Sequence, residues 1–166
     1  MTDGFRPKLV SLLLTGPERA DDIARLHATL FDEAWSSESV RKLMSNSVSM
    51  AMVATYGGQK QVVGFALAQM VGDEAEILTL GVAKPAQRHG IGRQLVEGLV
   101  RSARRAEVYR IYLDVAADNA AAIALYSKLG FEEAGRRRGY YVRKGSAAVD
   151  AVSLSLTLGL PAAPAG

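Results

Sequence analysis

Apolar and polar positions along this chain change period several times, and each change predicts an element. Residues 8–14 (KLVSLLL) form a short apolar run that reads as a strand, stopped by Thr15-Gly16-Pro17. Proline suits a first helical position, where its missing N–H costs nothing. Ile23, Leu26, His27, Leu30 and Phe31 then follow the i, i+3, i+4, i+7, i+8 spacing of an amphipathic helix. Residues 31–35 break it, and Ser36 or Ser37 can cap a second short helix through Met44. Here the period shortens. Residues 49–56 and 61–70 are apolar stretches joined by Gly57-Gly58, which predicts a hairpin. Residues 74–82 read as a further strand, after a Gly72-Asp73 turn.

The second half repeats strand, helix, strand, helix. Residues 90–105 are helical: Ile91, Leu95, Leu99 and Ala103 share one face, flanked by Val96 and Val100. Residues 110–115 alternate, with Ile111, Leu113 and Val115 on one face and Tyr112 and Asp114 on the other. Asp118-Asn119 can cap a helix over 120–129. Gly130 stands where a left-handed residue ends it, with Phe131 as its apolar partner. Two final strands, 132–140 and 147–156, flank a basic loop, and residues 159–166 (GLPAAPAG) read as a frayed tail. The order βααβββαβαββ predicts a single mixed α/β domain over 1–166, with seven strands, four helices and a core at about 8–158.

Composition narrows the chemistry. A chain of 166 residues can bury a core large enough to preorganise a site without staples. With 49% apolar and 22% charged residues it is neither disordered nor fibrous. It has no cysteine, which excludes disulfides, thiolate zinc sites and a cysteine nucleophile or acyl carrier. Two histidines, His27 and His89, exclude a multi-histidine centre, so no metal is expected. A net charge of +3 is too mild for coating a polyanion, and no nucleic-acid partner is expected. The opening MTDGFRPK holds no apolar leader core, and no run approaches the ~18 apolar residues of a span. A cytoplasmic setting without membrane contact is expected.

The most informative stretch is TLGVAKPAQRHGIGRQL, residues 79–95. A strand ends at Val82, and Gln87-Arg88-His89-Gly90-Ile91-Gly92 runs straight into a helix. A helix N-terminus offers unpaired N–H groups and partial positive charge. Gly90 and Gly92 remove the Cβ atoms that would hold a phosphate away, and Arg88 and Arg93 add charge. The spacing matches neither G-x-G-x-x-G nor G-x-x-x-x-G-K-[ST], so neither a dinucleotide fold nor a P-loop is indicated. On glycines alone, a plain tight turn fits equally.

Q-R-x-G-x-G opening a helix after a strand resembles the acetyl-CoA pyrophosphate motif of the GCN5-related N-acetyltransferases. Residues 113–131 (LDVAADNAAAIALYSKLGF) resemble that family's second motif, with Asn119 and Tyr126 along the cofactor. Trp35-Ser36, Asp73-Glu74-Ala75, Asn119 to Tyr126 and Arg137-Arg138-Gly139-Tyr140-Tyr141 are similar to the bacterial ribosomal-protein-alanine subfamily. The resemblance covers about residues 8–158. It implies a GNAT fold with parallel fourth and fifth strands that splay, and acetyl-CoA as co-substrate. It also implies transfer to a protein N-terminal α-amine, with a small-subunit ribosomal protein as acceptor.

Each chemical need then maps onto residues. The resemblance places the cofactor along Gln87, Arg88, His89, Gly90, Ile91, Gly92 and Arg93, with His89 contributing backbone. It assigns the amides of Leu80 and Val82 to polarising the acyl carbonyl. Gly81 fits either close backbone approach or a small core residue. Asp114 ends the fifth strand in this reading and stands where the family has a glutamate base. Being one methylene shorter, it would act through a water. Glu74 and Glu76, which face together, are its rivals. Tyr126 is the candidate acid for the departing thiolate, an ordinary core tyrosine being the alternative. An α-amine, with pKa near 7.7–8.0, needs only a weak base. Trp35, Glu74, Glu76, Tyr140 and Tyr141 are candidates for the acceptor groove, and Arg136-Arg137-Arg138 is either a solvated run or a contact for an acidic surface. His27 reads as a packing histidine. A small-molecule amine acceptor, or a non-catalytic acyl-CoA-binding module, remain the alternatives.

Overall fold

The computed structural model describes residues 4–58 and 61–159, so most of the expected tail (160–166) lies outside the described residues. In chain order the elements are β1 (Val10–Leu14), α1 (Ala20–Leu30), α2 (Ser37–Met44), β2 (Ser49–Tyr56), β3 (Gln61–Val71), β4 (Glu74–Val82), α3 (Ile91–Arg105), β5 (Arg110–Ala116), α4 (Ala120–Lys128), β6 (Glu132–Tyr141) and β7 (Val149–Thr157). The expected order of seven strands and four α-helices is found among the described residues. Three 3-10 turns were not expected: Pro7–Leu9, Pro17–Arg19 and Lys84–Ala86. Each carries proline at its first or second position, where a fixed φ favours a tight turn. The first two delay β1 to Val10 and α1 to Ala20.

The strands form one sheet in the order β1-β2-β3-β4-β5-β7-β6, antiparallel throughout except at β4–β5. Helices cover both faces at its centre. Met50, Met52 and Ala54 of β2 join Leu95 and Leu99 of α3 in one core. Ala51 and Val53 join Phe65 and Leu67 of β3 against Ile23 and Val40 of α1 and α2 in the other. This two-sided burial explains why β2 and β3 are unbroken apolar runs rather than alternating ones. A fully buried Leu or Phe there contributes roughly 1.5–3 kcal/mol.

Local chemistry sets the ends of the shorter helices. Ser36 caps α2 by accepting from the Ser39 amide at 3.1 Å. Asn119 caps α4 by accepting from the Ala122 amide at 3.2 Å. At the other end of α4 the Gly130 amide donates to Ser127 and the Phe131 amide to Tyr126, with Gly130 at φ 94°. This is the paired-bond C-cap expected from the sequence, and Phe131 sets its ring edge against Tyr126 at 5.2 Å.

His27 is a packing residue. It is 3% exposed, lies against Phe31, Trp35 and Phe65, and its Nδ1 accepts from the Trp35 amide at 3.2 Å. Burial holds its pKa below the ordinary imidazole value. The unfolded chain therefore takes up this proton first as pH falls through about 6.5, and stability is lost from there downward. Urea unfolding between pH 8 and 5 should show that loss. His27→Gln should flatten it, and an unchanged slope in the variant would remove His27 as its source.

Candidate functional site

The site begins where the sheet fails to close. β4 and β5 pair only at Glu74–Arg110, Ala75–Ile111 and Glu76–Tyr112. Beyond these rungs β4 continues with β3, while β5 pairs with β7 along its whole length, from Arg110–Thr157 to Ala116–Ala151. The Ala83 amide donates to Val63 across the β3 side at 2.8 Å. Strand alternation then turns the amides of Leu80 and Val82 the other way, toward the gap. A wedge-shaped cavity of about 400 Å³ opens there, walled by Ile77 to Leu80, Leu113 to Ala116, Asn119, Ala122, Tyr126, Tyr141, Arg143 and Phe31.

A larger cleft of about 800 Å³ adjoins the wedge, and Phe31, Leu80, Asn119 and Ala122 line both. Its floor is the start of α3, with Gln87, Arg88, Gly90, Ile91, Gly92 and Arg93 in its lining. This helix start lacks the usual protein partners. Gly90 is its cap residue, left-handed at φ 77°, and no side chain caps it. Its first turn holds no acidic residue, and it holds Arg93. Gln94 is the first to donate within the helix, to Gly90, so the amides of Ile91, Gly92 and Arg93 have no intrahelical acceptor. α2 and α4 satisfy their starts with Ser36 and Asn119, whereas no side chain caps the start of α3. The residues present fit a phosphate-bearing group.

Around this geometry the expected residues fall into place unevenly. Gln87 braces the loop, its Nε2 donating to the Val82 carbonyl at 2.9 Å. Arg88 sits at φ 67°, an uncommon conformation for a residue with a side chain. Arg93 lies along α3, its Nε 3.0 Å from Glu97. The His89 imidazole faces away from the cleft, against Phe5 at 5.0 Å. Gly81 is settled by packing: an added Cβ would lie 2.6 Å from the Phe65 ring and 2.8 Å from Leu30.

Asp114 is half-buried and lines both the wedge and a second, polar cavity of about 380 Å³ on the neighbouring face. It does not end β5, as the sequence suggested, because pairing with β7 carries the strand on to Ala116. The Ser153 hydroxyl donates to Asp114 Oδ1. Of its rivals, Glu76 lines the second cavity. Glu74 sits on the paired end of β4 and accepts from the Tyr109 hydroxyl at 3.0 Å, outside both linings. Tyr126 is 3% exposed and lines the wedge. Burial pushes its pKa above the ordinary phenol value.

The acceptor side differs more from expectation. Tyr141 walls the wedge, and Tyr140 packs edge-on against it at 5.1 Å, half exposed, under the Arg137 guanidinium. Trp35 turns inward onto His27 and the α1–α2 core, and Phe31 from the same connection lines both cavities instead. Arg136 pairs with Glu133 and Asp150. Arg143 reaches from the β6–β7 loop to Asp118, with Nη2 and Oδ1 2.9 Å apart, and holds that carboxyl below its ordinary pKa. Phe31, Arg143 and Ser153 were not singled out in the sequence. Arg143 and Ser153 meet partners 25 and 39 positions away, and Phe31 borders cavities built by later elements, so no local spacing marks them.

Comparison with known proteins agrees with this geometry. Residues 20–131 match the model of the acetyltransferase (GNAT) family. A [ribosomal protein bS18]-alanine N-acetyltransferase of Escherichia coli strain K12 is 46% identical over 81 residues, 49% of this chain and 55% of that protein. The match thus spans about half the length of that relative. The N-alpha-acetyltransferase RimI of Mycobacterium tuberculosis is 36% identical over 133 residues, 76% of this chain and 81% of that one. The crystal structure of the Escherichia coli ribosomal-protein-S18-alanine N-acetyltransferase superposes with a TM-score of 0.83 at 29% identity. It covers 91% of this chain and 95% of its own.

Proposed function

The chain belongs to the acetyltransferase (GNAT) family, and from that premise we propose that it transfers the acetyl group of acetyl-CoA to the N-terminal α-amine of a protein. The acceptor class is a small-subunit ribosomal protein, which the similarity to bS18-alanine N-acetyltransferases supports, and the setting is the cytoplasm. The observation that carries the proposal is the junction at Leu80 and Asn119. There the anion cleft of α3 opens directly into the wedge holding Asp114 and Tyr126.

Acetyl-CoA supplies an activated thioester. The free amides of Ile91, Gly92 and Arg93 hold its pyrophosphate at the α3 N-terminus, with Arg88 beside them. The amides of Leu80 and Val82, aimed into the gap, donate to the acyl carbonyl oxygen as negative charge develops on it. Asp114 accepts a proton from the amine through a water, since its short side chain keeps the carboxylate close to β5. Tyr126 donates toward the departing sulfur. The chain has no cysteine to carry the acetyl group, so the amine attacks with both substrates bound.

Incubation with acetyl-CoA and a peptide beginning with alanine, read by mass spectrometry, should place one acetyl group on the α-amine. An untouched peptide alongside brisk turnover of a polyamine would instead favour a small-molecule acceptor. Binding of CoA without turnover of either would favour a non-catalytic module.

The β6–β7 loop closes the acceptor side through Arg143 and Asp118. Arg143→Ala should raise KM for the peptide several-fold while leaving KM for acetyl-CoA and the melting temperature unchanged, because an exposed pair contributes little to folding. Equal effects on both KM values would place Arg143 at the cofactor instead.

A further inference from the structure

We propose that Ser153 is a positioning residue for Asp114, holding the carboxylate in place from across a β5–β7 rung. This rests on the proposal that Asp114 serves the transfer. Ser153 and Asp114 are directly opposed in the antiparallel ladder. Side chains so opposed share a face with Cβ atoms about 4.5–5.5 Å apart. The Ser153 hydroxyl donates to Asp114 Oδ1. β7 alternates here: Val152 and Leu154 enter the core, while Ser153 comes up on the polar face.

Three observations make this bond more than a satisfied surface polar pair. Among the described residues Asp114 alone lines both the wedge and the polar cavity beside it, so it stands at the boundary between them. Ser153 lines only the polar cavity, and therefore grips the carboxylate from the side away from the wedge. Asp114 also forms no salt bridge among the described residues, although Arg137 lines the same cavity. A cation would neutralise a base. A hydroxyl fixes its rotamer and leaves its charge available. The next rung on the same face shows the contrast: Ser155 opposes Tyr112, and among the described residues no carboxylate accepts from it.

Steady-state kinetics with acetyl-CoA and an alanine-leading peptide test this on the full chain. Ser153→Ala should lower kcat roughly tenfold, as expected for losing a hydrogen bond to a charged group. KM for acetyl-CoA should stay unchanged, while the melting temperature falls by the few degrees that losing one hydrogen bond to a carboxylate costs. Ser153→Thr, which keeps the hydroxyl in a strand, should restore most of the rate. Ser155→Ala should be silent. The Ser153→Ala/Asp114→Asn double variant should be no slower than Asp114→Asn alone. Wild-type turnover by Ser153→Ala overturns the proposal, as does a loss that simply adds to that of Asp114→Asn. If Asp114→Asn itself keeps the full rate, the role of Asp114 fails and positioning fails with it. A wild-type chain that acetylates nothing removes the acetyltransferase proposal as a whole.

Discussion

Tyr126→Phe should turn over roughly a hundredfold to a thousandfold more slowly than the wild type while melting no lower. A positioned proton donor contributes about 10²–10⁴ in rate. The fold has no comparable stake in the hydroxyl. The ring packs on Phe131 and is 3% exposed, which Phe at this position would keep. Tyr126 lines the wedge, so its hydroxyl can be removed at little cost to stability. Burial lifts the phenol above its ordinary pKa, so it stays protonated and able to donate throughout the neutral range. Single-turnover rates and thermal melts decide the matter. A Phe variant that keeps its rate ends the donor role, and one that unfolds shows the hydroxyl to be structural.

The second large effect has opposite signs on binding and folding. Gly92→Asp should raise KM for acetyl-CoA at least a hundredfold while leaving the melting temperature equal or slightly higher. A Cβ at Gly92 would meet Leu125 at 3.6 Å and Val82 at 3.7 Å, which are ordinary contacts, so the fold accommodates it. The new carboxylate would lie in the first turn of a helix that has no acidic residue there, where such a charge stabilises by about 0.3–1 kcal/mol. It would also occupy the free amides and repel a pyrophosphate from them. Isothermal titration with CoA and a thermal melt read the two halves separately. Undiminished CoA affinity would place the cofactor elsewhere.

Local signals carried much of the fold. β4 was legible residue for residue, because Gly72-Asp73 opens it and the Pro85 loop closes it. α4 was legible because a cap residue and a left-handed glycine bracket nine residues. The α1–α2 connection was not. Trp35 and Phe31 are both large and apolar, and spacing does not say which one turns inward. Trp35 was committed to the core by His27 Nδ1 and the stacked rings around it. Gly81 likewise had two equal explanations until Phe65, sixteen positions earlier, came to lie 2.6 Å from where its Cβ would stand.

By itself the sequence determined the order of elements and the glycine-bearing start of α3. These depend on periods, caps and glycine positions within a few residues of one another. Only the tertiary structure decided how the site closes: the parting of β4 from β5 after three rungs, the Ser153 bond to Asp114 across 39 positions, and the Arg143 latch onto Asp118 across 25. Such contacts form where strands distant in the chain are laid side by side, and the free energy that selects them comes from burying the sheet between two sets of helices.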